Sequence, residues 1–163
     1  MRGLALAAPA GPAGGLAAWA AGALAASGLA GDGLYVATAS AGGAEAVEFY
    51  RQGLAAGLAF ANPRLFPWSL ATSPTGAIAQ ALGIRGPTHT LLGGADAVAE
   101  ALAQAAEDLG AGRAAAGVVV AVDADGAGRW SLAATTLGPG DPVPAVPAGT
   151  AVEALARLVV TLA

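Results

Sequence analysis

Apolar positions along the chain fall into two kinds of pattern, short unbroken runs and stripes at helical spacing, and the two alternate. Gly117–Val122 (GVVVAV) is a β-branched run without a polar break, the pattern of a central strand covered on both faces. Arg2–Ala8 (RGLALAA), Leu34–Ala39 (LYVATA), Thr88–Leu92 (THTLL) and Trp130–Leu137 (WSLAATTL) read as further strands. Each is bounded by proline, glycine or a polar turn: Pro9, Gly31-Asp32-Gly33, Gly86-Pro87 and Asp123–Gly128 (DADGAG).

Helical spacing fills the intervals. Leu16, Trp19, Ala20, Leu24 and Ala25 mark a helix over Gly15–Ser27, with Gly28 past its end as a cap. Ser40-Ala41-Gly42-Gly43 opens a second helix running to about Leu58. Glu45 lies near its positive end, and Phe49, Leu54 and Leu58 are expected in the core. A short helix spans Pro74–Leu82 before Gly83, and a long one spans Gly94–Leu109. In the last helix, Thr150–Ala163, the residues Val152, Leu155, Leu158, Val159 and Leu162 repeat at helical spacing. Thr150 and Glu153 stand there as a capping box. Phe60–Pro67 (FANPRLFP) reads as an ordered connection, and the proline-rich Gly138–Gly149 as a loop.

Strands that alternate with helices predict a parallel sheet covered on both sides, and the tight Asp123–Gly128 turn reverses the final strand. The expected class is α/β: a three-layer α/β/α arrangement with about five strands, mostly parallel, the last one antiparallel. The whole chain, 1–163, reads as a single domain without internal repeats.

Composition changes the picture in two ways. Hydrophobic residues are 56% but aromatics only 5%, so alanine, valine and glycine build a core that gains less per residue than a Leu/Phe core. A subunit that leans on a partner is expected. The net charge is −4, every basic residue is arginine, and Arg51, Arg64, Arg85, Arg113 and Arg129 are scattered singly. Without a cationic cluster, nucleic acid is excluded as a partner. The uncharged stretch Gly3–Gly31 is interrupted by Pro9, Pro12 and Gly14-Gly15. Neither a membrane span nor a signal segment is expected from it, and the expected location is the cytoplasm.

Candidate chemistry is sparse. The chain has no cysteine, which removes disulfides, thiolate metal sites and cysteine catalysis together. The Ser40–Gly43 opening lacks the lysine of a phosphate loop and reads as a plain strand-to-helix turn. Asp123-Ala124-Asp125-Gly126 lacks the later ligands of a calcium loop and reads as a hairpin turn. Asp96, Glu100, Glu107 and Asp108 share one helix without an intervening histidine, the pattern of a solvated face. The single His89, on a strand, reads as structural. No metal or cofactor is expected.

Gly86–Val122 nevertheless resembles the nucleophile segment of β-ketoacyl synthases, the thiolase-like condensing enzymes. The likeness lies in Asn62-Pro63 to Pro67, in Leu82-Gly83-Ile84-Arg85-Gly86-Pro87, and in the helix from Ala101-Leu102 to Gly112. In that family the corner between strand and helix carries a cysteine. Its usual spacing, eight residues after the Gly-Pro proline and seventeen before the glycine after the helix, leads from Pro87 and from Gly112 to the same residue, Ala95. The resemblance implies the N-terminal half of a thiolase-like fold, with Gly93, Gly94, Ala95 and Asp96 at the vacated corner beside an acyl tunnel. It also implies a dimer strand formed by Thr88, His89, Thr90, Leu91 and Leu92. His89 does not match a catalytic position of the family, and the family's decarboxylating pair belongs to a second half beyond this chain.

The functional expectation is a non-catalytic subunit similar to a chain length factor. It would pair as a heterodimer with a catalytic ketosynthase in bacterial polyketide or fatty-acid-type chain elongation. Acyl carrier protein would be met through that partner. The alternatives are a stand-alone homodimeric acyl-binding or scaffold protein of the same fold, and an enzyme with another nucleophile, which the residue inventory disfavours.

Overall fold

A computed structural model describes residues 3–9, 11, 15–125 and 129–162. In chain order the elements are β1 (Gly3–Pro9), α1 (Gly15–Ser27), β2 (Gly33–Thr38), α2 (Gly43–Ala56), 3-10 turns at Leu58–Phe60 and Pro67–Ser69, α3 (Ser73–Leu82), β3 (Thr88–Leu92), α4 (Ala95–Gly110), β4 (Gly117–Ala124), β5 (Arg129–Leu137) and α5 (Ala151–Leu162). Each strand and helix read from the pattern is present. Arg2 and Ala163, the outer ends of two of them, and Gly126–Gly128 of the hairpin turn lie outside the described residues.

The five strands form one sheet in the order β1-β5-β4-β2-β3. β2 runs parallel to β3 and β4, while β5 is antiparallel to β4 on one side and β1 on the other. β5 is therefore the one reversed strand, as the short hairpin turn requires. Side chains of β4 alternate between two cores because successive residues of a strand face opposite ways. Val119 and Ala121 join the core under α4 and α5, and Val118, Val120 and Val122 join the core under α1 and α3. This makes the expected three layers, with β4 fully covered on both sides.

The helix caps follow local chemistry. At the head of α5 the Thr150 N–H donates to Glu153 Oε2 (3.2 Å) and the Glu153 N–H to Thr150 Oγ1 (3.3 Å), which satisfies two of the donors a helix start leaves open. Gly42, before α2, has φ +80°, and a Cβ there would stand 2.7 Å from the Ser69 backbone. Only glycine fits that crossing.

Two expectations are corrected. Leu54 and Leu58 are not in the core: they are 75% and 68% exposed. Gly53 is the one buried residue of α2, and the helix packs on the two 3-10 turns instead of the sheet. Phe49 is half-buried against Phe66, with ring centroids 6.0 Å apart. Periodicity predicted the apolar stripe but not which way it would face. The second correction concerns Asp108. It is buried, whereas Asp96, Glu100 and Glu107 are exposed. The last turn of α4 rotates it inward to partners that the sequence places far away.

Candidate functional site

The corner between β3 and α4 is built by two glycines. The Gly93 N–H donates to the Thr38 carbonyl (3.0 Å), tying the end of β3 to the end of β2, and Gly93 takes φ +148°, outside the range of L side chains. Gly94 follows at φ −88°, and Ala95 is the first residue of α4. Ala95 thus lies at the strand-to-helix junction where the spacing places it. It is half-buried, and Asp96 is exposed in the first helical turn.

A second segment closes over this corner. The Ala95 N–H donates to the Gly149 carbonyl at 3.2 Å, and a Cβ on Gly94 would lie 3.2 Å from the same oxygen. The backbone donor that would greet a developing oxyanion at such a junction is therefore already engaged. The side chain there is a methyl group, without an atom to attack or hold an acyl carbon.

β3 lies at the edge of the sheet, paired only with β2. Because the Gly93 N–H turns toward β2, alternation turns that of Leu92 away from the sheet. Leu92 is 71% exposed. The hydroxyls of Thr90 and Thr75 share a hydrogen bond of 2.7 Å, pinning β3 to α3. His89 stacks on Tyr35, with centroids 5.5 Å apart and planes 6° from parallel, and its Nε2 lies 3.4 Å from Asp108 Oδ2.

Behind β3 sits a buried polar cluster that sequence reading missed. The Tyr35 hydroxyl donates to Asp108 Oδ2 (2.8 Å), and Arg113 Nε donates to Asp108 Oδ1 (2.7 Å). Arg113 also reaches Glu107 through a terminal guanidinium nitrogen (2.8 Å). Burial raises the Tyr35 phenol well above its ordinary range, and the Asp108 carboxylate adds to this. Burial also pushes Asp108 up, but the hydrogen bonds from Tyr35 and Arg113 outweigh it and hold the carboxyl below the usual range. The sequence signal was a tyrosine inside an otherwise apolar strand, since a buried phenol requires a partner.

Asp123, read from the sequence as part of the hairpin turn, is instead a residue of β4. Its Oδ1 accepts from Thr38 Oγ1 (3.1 Å), Ala39 N–H (2.7 Å), Ser40 N–H (3.0 Å) and Ser40 Oγ (3.0 Å). The amides that an anion would need at the β2–α2 turn are thus committed to a carboxylate of the protein itself. Asp125 pairs with Arg129 at 3.0 Å on the hairpin. Among the described residues no three histidine, aspartate or glutamate side chains converge, and no helix is long and apolar enough to cross a membrane.

No protein-family model and no curated protein matches the sequence. Solved structures do match in three dimensions. The ishigamide ketosynthase/chain length factor is 19% identical with a TM-score of 0.61, over 74% of this chain and 40% of that one. The oxazolomycin ketosynthase domain of Streptomyces albus is 14% identical with a TM-score of 0.54, over 77% of this chain and 27% of that one. The chain spans less than half the length of either. On these matches the chain, with its five-stranded sheet and one reversed strand, has a ketosynthase-like fold.

Proposed function

We propose that this chain is a non-catalytic ketosynthase-like subunit of the chain-length-factor kind. It pairs with a cysteine-bearing ketosynthase in bacterial polyketide or fatty-acid-type chain elongation in the cytoplasm. The observation that carries the reading is the corner itself, where Ala95 replaces a nucleophile and its N–H is already bonded to Gly149. Condensation needs a thiolate activated at a helix start, and the partner would supply it. The exposed edge of β3, Thr88 to Leu92, supports the pairing, since an unpaired edge invites a strand from another chain. In this reading Gly93 to Asp96 line the partner's acyl tunnel, acyl carrier protein is met through the partner, and no cofactor is used.

The test is co-expression with a cysteine-bearing ketosynthase followed by affinity purification of one subunit. The pair is expected to co-purify, and Leu92→Pro is expected to separate it, because proline removes an outward N–H without touching the ladder to β2. Failure to co-purify with any such ketosynthase overturns the reading. A second reading, a stand-alone homodimer that binds acyl chains or acts as a scaffold, draws on the same edge, since an antiparallel strand pair across a twofold is self-complementary. Light scattering on the purified chain separates the two. A stable dimer sensitive to Leu92→Pro favours the second, and a monomer that dimerises only with the ketosynthase favours the first.

A further inference from the structure

On the sheet face beneath α5, reaching from β1 to the β3–α4 corner at Gly94, lies an open cleft of about 910 Å³. Its floor is a row of residues facing one another across three strands. Ala7 of β1 is in register with Ser131 of β5, which is in register with Asp123 of β4. Val152 and Ala156 of α5 form the opposite wall. A volume of this size, mostly apolar with a few converging polar groups, is what small-molecule sites offer.

Asp123 is the unusual member of the lining. It is only 8% exposed, yet its two carboxylate oxygens are served unequally. Oδ1 accepts four hydrogen bonds from the β2–α2 turn, whereas Oδ2 is shielded from bulk water and accepts none among the described residues. A buried carboxylate oxygen without a donor is rare in folded proteins and calls for an explanation such as a bound group. The charge around it points to the kind of donor. Asp123, Asp125 and Glu153 line the cleft with one cation, Arg129, which is bonded to Asp125 at 3.0 Å. The cleft therefore favours a positive head, and its alanine and valine surfaces favour an aliphatic body.

We propose that this cleft is a binding site for small aliphatic amines, with the ammonium donating to Asp123 Oδ2 and the chain lying along Ala7, Val152 and Ala156. Oδ2 is covered in the free chain, so binding requires the lining side chains to move aside, which the titration below reads. The cleft shares Gly94 with the corner assigned above to the acyl tunnel, but amine binding is read on the isolated chain, so failure of co-purification leaves it standing.

The experiment is a titration of the isotope-labelled full chain, followed by amide shifts, with n-hexylammonium, n-hexanol and hexanoate at equal ionic strength. Hexylammonium is expected to give saturable shifts around Ser131 and Val152–Ala156, hexanol weaker ones and hexanoate none. Asp123→Asn places an N–H donor on one side of the group. It is expected to weaken hexylammonium binding by about tenfold, the size of one charge-assisted bond, and to let hexanoate bind. Ala156→Phe narrows the cleft at its α5 wall and is expected to weaken binding in a chain that remains folded, so it decides the matter if Asp123→Asn does not fold. Absence of saturable shifts in the wild-type chain overturns the proposal. So does equal hexylammonium binding by wild type and folded Asp123→Asn, or undiminished binding by Ala156→Phe.

Discussion

The centre of the sheet and the excursion from Gly43 to Leu70 treat their large apolar residues differently. β4 and its neighbours bury large and small side chains alike: Val118, Val119, Val120, Ala121 and Val122 are at 0% exposure, and so are Leu34, Tyr35 and Leu132. The excursion carries large side chains and leaves them in solvent: Tyr50, Leu54, Leu58, Phe60 and Phe66 are between 55% and 78% exposed. Small residues allow helices and strands to approach closely, so they settle where two layers meet. Bulky ones bury far more area when a partner covers them. Contiguous exposed aromatic and leucine surface on a folded protein marks an interaction site, and the same excursion packs on itself rather than on the sheet. The core holds this chain together, and the excursion leaves its apolar surface uncovered.

The comparison is broken most directly by cutting the same side chain in each region. Leu102, 1% exposed on the inner face of α4, is expected to cost roughly 2–5 kcal/mol on truncation to alanine. Leu54→Ala is expected to change stability by no more than about 0.5 kcal/mol. Urea unfolding of the purified chain measures both. Equal costs would mean that α2 is packed in solution and that the contrast between the two regions is wrong.

Tyr35 sharpens the core side of the contrast, because it is the one large polar side chain fully buried there. Tyr35→Phe takes a donor from buried Asp108 and is expected to cost about 1–2 kcal/mol at neutral pH. The pH dependence has a definite sign. The folded-state pKa of Tyr35 is raised above its ordinary 10.0, so the folded state holds its proton more tightly. Its contribution is full below about pH 10 and declines as pH rises beyond that. Wild type is expected to lose stability in that alkaline window, and Tyr35→Phe to lose less of it. Asp108 acts in the opposite direction. Its folded pKa is lowered, so its contribution is present above the ordinary carboxylate range and fades as pH falls through the folded value. Denaturant curves across the pH range check both slopes.

The smallest effect on stability is expected on the excursion. Leu54→Ala combined with Phe60→Ala should leave the urea midpoint of the isolated chain nearly unchanged while weakening co-purification with a ketosynthase partner. Retained pairing would assign the exposed apolar surface to some other contact and leave β3 to account for the pairing alone.

Much of the fold was legible because it rests on local rules. The unbroken run at Gly117–Val122, the Gly86-Pro87 entry to β3 and the Thr150–Glu153 capping box each declare an element within a few residues, and each element is present where it was expected. The strand-to-helix corner at Gly93-Gly94 was legible for the same reason, since paired glycines and a helix start are local signals, whereas Ala95 was singled out by the resemblance. The polar sites were not. Asp108 meets Tyr35 across 73 positions and Asp123 meets Ser40 across 83, and no pattern along the chain marks which carboxylate turns inward. The outward turn of Leu54 and Leu58 was hidden too, because periodicity defines a stripe without saying what covers it.

By itself, then, the sequence determined the strand and helix order, the single reversed strand and the absence of a sulfur nucleophile, because these depend on hydrophobic period, turn length and residue identity. Tertiary structure alone decided that Gly149 occupies the Ala95 N–H, that Asp123 keeps one oxygen without a donor, and that the large apolar side chains of the excursion face outward. Those outcomes depend on how distant segments pack against one another, and side-chain direction at a contact is settled only when both sides of the contact are in place.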